Sequence, residues 1–165
     1  RILIMSPGSG ASSSNAMQIS EPMIGLGDSP TIGLRPCVNK PSGNSATNSA
    51  WSGDYTDVDG ASGMEGEWLV SGTASQREGY TFPALSTSFN SNAIRTVILS
   101  SRGMSHGSRS YKNSVRVSST DYDGSDVSAD GVLTWYRDTW DTNPSTTNAW
   151  TRSEVDAAEF GVIST

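Results

Sequence analysis

The sequence predicts an all-β fold: an antiparallel β-sandwich of jelly-roll type, with one short C-terminal helix and an extended N-terminal arm. Three observations lead there. From Trp51 onward, short apolar or alternating runs recur between turns rich in Gly, Ser, Asp and Asn, the pattern of sandwiches and jelly rolls. These runs do not alternate with helical stretches, so a parallel α/β sheet is not expected. Gly numbers 17, Ser and Thr are abundant, and only 34% of residues are hydrophobic, which suits short strands and polar turns better than long helices. At 165 residues the chain reads as one domain, residues 51–165, preceded by an arm, residues 1–50.

The arm comes first. Ile2-Leu3-Ile4-Met5 is compatible with a short strand, and residues 6–14 (SPGSGASSS) are linker-like. Pro22, Pro30, Pro36 and Pro41 then punctuate the chain, which forbids long regular elements and fits a segment laid along another surface. The alternative is a set of loops covering one end of the sandwich. The start RILIMSP is too short for a signal peptide, and the chain opens on Arg1 without an initiator Met.

Strand candidates follow at residues 67–71 (EWLVS), at Tyr80-Thr81-Phe82 before Pro83, at residues 93–100 (AIRTVILS), at residues 111–117 (YKNSVRV) and at residues 132–140 (VLTWYRDTW). The run at 93–100 is the strongest. Beyond Trp140, Asn143-Pro144 marks a turn, since the residue before proline is pushed out of helical space. Thr151 stands three residues before Glu154, the spacing of a capping box. A helix of about two turns should follow, with Val155, Ala158 and Phe160 on its apolar side. Gly161 is expected at a left-handed helix end, and Val162-Ile163 as the start of a final strand.

Charge and cysteine content limit the partners. A net charge of −6 and a pI near 4.6 argue against nucleic acid, whose phosphates require clustered Lys and Arg. They suit a protein packed at high local concentration or one touching a basic surface. Cys37 is the sole cysteine, so no internal disulfide forms. No apolar run approaches the ~18 residues of a membrane span, and no membrane partner is expected.

Several stretches invite a functional reading. Gly103-Met104-Ser105-His106-Gly107 matches G-x-S-x-G, the turn that presents a nucleophilic serine in hydrolases. Here a strand is expected after it instead of a helix, and His106 is the only histidine, so no separate base exists for a triad. A glycine-rich hairpin loop is the expectation. Two acidic clusters suggest calcium: Asp54, Asp57 and Asp59 with Glu65 and Glu67, and Asp121, Asp123, Asp126 and Asp130. Neither completes an EF-hand loop, because position 12 falls on Gly66 or on Arg137. Acidic turn chemistry at strand ends is expected, and a calcium site built from a different loop is the alternative. Trp51, Trp68, Trp135, Trp140 and Trp150 could stack on sugars from an exposed face; they are read as core residues, Trp135 and Trp150 above all for their apolar surroundings. No catalytic, cofactor-binding or metal-binding residue is nominated, and no enzyme is expected.

The C-terminal stretch carries a resemblance. Trp140, Asn143-Pro144, Thr146, Trp150-Thr151, Val155, Ala157 and Gly161-Val162 follow a W-x-x-N-P…W-T-x-x-x-V-x-A-x-x-x-G-V pattern that resembles small structural proteins of tailed bacteriophages. Asp156 stands where that family usually has Asn, and Asn148 where it often has Gly. Upstream, residues 51–59 resemble the family's Trp…Val-Asp-Glu segment, with Gly60 in place of the Glu, Tyr80-Thr81-Phe82 resembles its Tyr-x-Phe strand, and residues 94–101 and 111–117 resemble its paired strands carrying Lys and Arg. The resemblance spans residues 51–165. It implies a virion component with a β-sandwich and no known chemistry, needing no cofactor. Its partners would be capsid or tail proteins and copies of itself, with host-surface glycans as the alternative for an adhesion module. It names no catalytic residue to carry over.

Overall fold

Alternation along the strands decides what this chain buries. A computed structural model describes residues 37–58, 69–86, 94–104, 109–128 and 131–165. The strands are β1 (Gly43–Ser49), β2 (Arg77–Thr81), β3 (Val97–Gly103), β4 (Tyr111–Val117), β5 (Thr120–Asp123), β6 (Thr134–Trp140) and β7 (Glu159–Ser164). One helix, α1 (Arg152–Ala157), precedes β7. A five-stranded antiparallel sheet has the order β1-β2-β7-β4-β5, and β3 pairs with β6 in a second sheet. The fold is thus all-β with one short helix, as expected. The described strands divide five and two, not the four and four of a full jelly roll.

The two sheets meet through one parity of each strand. Val115, Val117 and Phe160 from the larger sheet form a buried cluster with Trp150 and Ala158, against which Val97, Leu99 and Trp140 of the smaller sheet pack. Phe82 meets Phe160 edge-on, with ring centroids 5.6 Å apart. A second contact joins Tyr111 of β4 to Tyr136 of β6, again edge-to-face, at 5.8 Å. Between these apolar patches the buried Asn113 side chain donates to Asp138 of β6 at 2.9 Å. A polar group inside a core needs such a partner, so this pair fixes the register of one sheet against the other.

β7 is central, not peripheral. It pairs with β2 on one side and β4 on the other, so the last residues of the chain complete the middle of the sheet. Gly161 explains how. It sits in β7 opposite Gly79, and a Cβ there would lie 1.9 Å from the Glu78 carbonyl oxygen. Only glycine tolerates that approach. The expected left-handed helix end at Gly161 is therefore corrected: α1 ends at Ala157, with Ala158 already extended at φ −78° and ψ 148°, and β7 begins at Glu159 rather than near Val162. The capping box is present as expected. Glu154 N–H donates to the Thr151 hydroxyl, and Thr151 N–H donates to Glu154 Oε2 at 2.8 Å.

Other boundaries moved for identifiable reasons. β4 covers the expected residues 111–117, whereas β3 starts only at Val97 and β6 at Thr134. Of the candidate at residues 67–71, only Leu69, Val70 and Ser71 are described, and Val70 forms an isolated bridge to Ser52. β1 lies within the stretch expected to be an arm. Its one apolar side chain is the exposed Ala46, yet it pairs with β2 along the edge of the sheet. β5 lies inside the second acidic cluster and closes a hairpin with β4 through Ser118 and Ser119, at φ 50° and 67°. Two successive positive φ values mark the tight turn whose twist matches a hairpin. Residues 1–36 lie outside the described residues.

Candidate functional site

Two surfaces collect polar and aromatic side chains, and they differ in kind. The first is the outward face of the five-stranded sheet. Gly79 and Gly161 leave a trough there, because neither strand raises a side chain at that pair. Where β1 departs from regular pairing between Asn44 and Ser49, Ser45 and Asn48 turn into the trough while Ala46 and Thr47 stay exposed. Ser45 and Asn48 come so close that a Cβ on Gly79 would lie 3.2 and 3.3 Å from theirs. The buried Ser45 hydroxyl donates to Glu159 Oε2 at 2.7 Å and accepts the N–H groups of Thr47 and Asn48. Asn48 reaches across the sheet to Asp121 at 3.1 Å.

Beneath that arch runs an ion-pair network. Arg77 binds both oxygens of Asp123, at 2.6 and 2.9 Å, and lies 3.5 Å from Asp121. Arg116 binds Asp121 at 3.0 Å and approaches Glu159 at 4.0 Å. Ser114 donates to Asp123 at 3.0 Å. The Arg77 guanidinium holds the Asp123 carboxyl below its ordinary range, and Asp123 in turn raises Arg77. Each of these charges has a partner, and the space left under the arch is about 10 Å³, room for no more than about one water. The arrangement can brace strands; it leaves no place for a substrate.

The acidic clusters resolve into such structural roles. Asp54 caps a short 3-10 turn, Tyr55–Asp57, by accepting from Thr56 N–H at 2.8 Å, while Asp57 accepts from Asp54 N–H at 2.8 Å. That is turn chemistry, as expected. Asp121 and Asp123 instead pair with arginines across strands, and Asp126 faces Lys112 at 3.3 Å. Asp59, Glu65, Glu67 and Asp130 lie outside the described residues. Among the described residues no group of three or more His, Cys, Asp or Glu side chains gathers to hold a metal. Ser105 and His106 also lie outside. The G-x-S-x-G stretch is followed by strand β4, as expected, but β3 and β4 belong to different sheets. The expected hairpin loop is thus corrected: β3 pairs with β6 and β4 with β7 and β5, so this connection crosses between sheets.

The second surface is the outward face of the β3–β6 sheet. Strict alternation turns Val97, Leu99, Tyr136, Asp138 and Trp140 inward, and Ile98, Ser100, Arg102, Trp135, Arg137 and Thr139 outward. Trp135 is 54% exposed, correcting its reading as core. Its neighbour Tyr136 takes the inward position, and a strand cannot face both side chains the same way. Arg102 lies directly opposite Trp135, with its guanidinium carbon 5.8 Å from the ring centroid. Arg137 lies opposite Ser100 and donates to its hydroxyl at 3.2 Å. Ile98, 44% exposed, extends the apolar part of the face. The arginines were not singled out from the sequence. The signal was present as shared parity in the two strands, and only the register between them puts Arg102 on Trp135.

The remaining tryptophans behave as packing residues. Trp150 is 1% exposed and donates from its indole nitrogen to the Trp140 carbonyl at 3.0 Å. Trp140 and Trp51 are partly buried, and Trp51 donates to the Gln76 carbonyl at 3.0 Å. Trp68 lies outside the described residues. No protein-family model, no curated protein and no solved structure matches the chain.

Proposed function

We propose that this chain is a structural component of a tailed-phage virion, assembled in the host cytoplasm and present in many copies. In this role it decorates or stabilises the capsid, or forms part of a fibre or tail, and performs no catalysis. The observation that carries the reading is how the motif of residues 140–162 is used. Asn143 is fully buried; its carbonyl accepts the N–H of Thr146 and of Thr147, and its side chain accepts that of Ser145. Trp150 grips the carbonyl of Trp140, Thr151 caps α1, and Gly161 admits β7 to the centre of the sheet. Every motif residue named here serves backbone architecture, which suits a family whose common feature is a scaffold. Many-copy packing would stabilise such a domain by mass action, and among the described residues β3 and β6 pair only with each other, which leaves strand edges as natural points of contact.

Imaging labelled protein on intact particles tests this reading, with ordered density at head or tail as the expected result. The chain lacking residues 1–36 is expected to fold with an unchanged melting temperature and to fail to join particles. Full occupancy by the truncated chain would show that the arm does not anchor it. A second reading, a glycan-binding adhesion module on the virion surface, is favoured by one observation: Trp135 stands exposed on the outward face of the β3–β6 sheet beside Arg102.

A further inference from the structure

Glu78 is a carboxyl group buried without a cation. It stands on the inward side of β2, 1% exposed, with Tyr80 two residues on. Arg77 and Arg116 lie on the outward side, committed to Asp121, Asp123 and Glu159. What covers Glu78 is the segment that leaves β1. Trp51 N–H donates to Glu78 Oε2 at 3.0 Å, and its indole N–H donates to the Gln76 carbonyl at 3.0 Å. Further on, Tyr55 N–H donates to Asn44 Oδ1 at 2.7 Å, and Asn44 stands opposite Tyr80 in the β1–β2 register. The segment thus runs over the inward side of β2 from Glu78 to Tyr80. We propose that residues 50–58 are a proton-gated strap, latched over β2 while Glu78 is protonated and loosened when Glu78 ionises and its carboxylate draws in water. The inference is independent of the virion role.

The charges around Glu78 all act in one sense. An ionised carboxylate held away from water without a cation is costly. Burial raises the acidity constant of Glu78 more than the N–H groups of Trp51 and Ala50 lower it. The strap brings Asp54, Tyr55 and Asp57, and β2 itself brings Tyr80. Burial first, then the charges of Glu78, Asp57 and Asp54, push the Tyr80 hydroxyl up. Asp54, held below its ordinary range by Thr56, stays charged and repels an ionised Glu78. Across the sheet the register places Val162 and then Asn113, neither titratable, and the Asn113 side chain leads to Asp138 of β6. Closing the strap therefore carries no penalty below the ordinary glutamate value. The penalty grows as pH rises through the folded value and is complete above it. The strap is the part that yields, because β2 is paired on both sides by β1 and β7, whereas Ser52, Gly53, Asp54 and Thr56 are exposed.

Amide hydrogen exchange of the full chain, resolved by residue from about pH 4 to about pH 8 and divided by the intrinsic exchange rate, tests the proposal. The N–H groups of Trp51 and Tyr55 are expected to be less protected than those of β4 and β7 at every pH. Their protection should fall as pH rises, about tenfold for each unit by which the closed strap raises Glu78. Glu78→Gln keeps an acceptor for Trp51 N–H and removes the charge, so strap protection in that variant should be independent of pH and should exceed the parent's at neutral pH. Should the variant not fold, the parent alone decides: protection of Trp51 N–H that is flat from about pH 4 to about pH 8 refutes the switch. A fall that persists in Glu78→Gln would move the proton to another group and refute it as well. Strap protection equal to that of β4 and β7 throughout would mean that residues 50–58 open only with the whole domain, and no strap exists.

Discussion

The two sheets of this protein solve the same problem in opposite ways. Both turn an apolar face inward. The five-stranded sheet also covers its outward face, with the arch of residues 45–48 and the network of Arg77, Arg116, Asp121, Asp123 and Glu159. The two-stranded sheet leaves Ile98 and Trp135 in solvent. Covering a sheet with paired charges makes it rigid and chemically quiet, because every group is engaged by a neighbour. Leaving a tryptophan outside costs little in stability and leaves it available to a partner. One sheet is braced on both faces, and the other leaves an aromatic side chain in solvent.

The sharpest way to break that contrast is at Gly161. A methyl group there would sit 1.9 Å from the Glu78 carbonyl oxygen and 2.7 Å from the Gly79 Cα. Both are backbone atoms, so no rotamer change relieves the clash. Gly161→Ala is expected to cost more than about 4 kcal/mol or to prevent folding, read as loss of a cooperative chemical-denaturation transition. An alanine variant within about 1 kcal/mol of the parent would mean that β2 and β7 can separate without harm. Next in size is Trp150→Ala. Its side chain is buried among Val115, Val117 and Phe160, so truncation should cost about 3–5 kcal/mol by the same measurement.

The outward network should respond to pH. The two hydrogen bonds from Arg77, against some burial, hold the Asp123 carboxyl below its unfolded value. Its contribution is therefore complete above the unfolded pKa, near about 4. It begins to drain as the unfolded chain takes up a proton and is gone once pH has fallen through the folded pKa. Glu78 has the opposite sign: burial raises its pKa, so stability falls as pH rises from its unfolded value through its folded one. Asp123→Asn should cost about 1 kcal/mol at neutral pH, because the pair is partly exposed. It should also flatten the acid limb of the stability curve below about pH 4. Parallel acid limbs in parent and variant would assign the acid sensitivity to other carboxylates.

How much of this was legible beforehand follows from which interactions are local. Two strands with their own alternation, read at residues 111–117 and 132–140, were visible because burial writes itself as period two. The capping box was readable because Thr151 and Glu154 satisfy each other within one turn. β1 was not readable: Gly43–Ser49 has Ala46 as its one apolar residue, and its place depends on a trough made by Gly79 and Gly161, some thirty and more than one hundred residues away. Gly161 itself looked like a helix end, since a glycine after a short helix commonly is one. The true cause is a neighbouring carbonyl that only the sheet order brings near. The same holds for the candidate site. Trp135 was visible, but that it faces outward and meets Arg102 depends on register.

The comparison is finest between the two tryptophans, Trp150 and Trp135. They are chemically identical, and composition alone would value them equally. Trp150 is enclosed and its indole N–H is committed to a backbone carbonyl. Trp135 keeps 54% of its surface in water, and its described aromatic contact is a cation lying over the ring. An exposed contact of that kind is worth about 0.5–1 kcal/mol, and the remaining burial is shallow. Trp135→Ala should therefore cost less than about 1 kcal/mol in chemical denaturation, several-fold below Trp150→Ala. The difference also has an optical signature. A soluble quencher should reach Trp135 in the folded protein, so the variant should lose a quenchable component of the emission that Trp150→Phe retains. If Trp135→Ala instead proved as costly as Trp150→Ala, its ring would be holding β3 against β6, and the division between a braced sheet and an exposed one would fail.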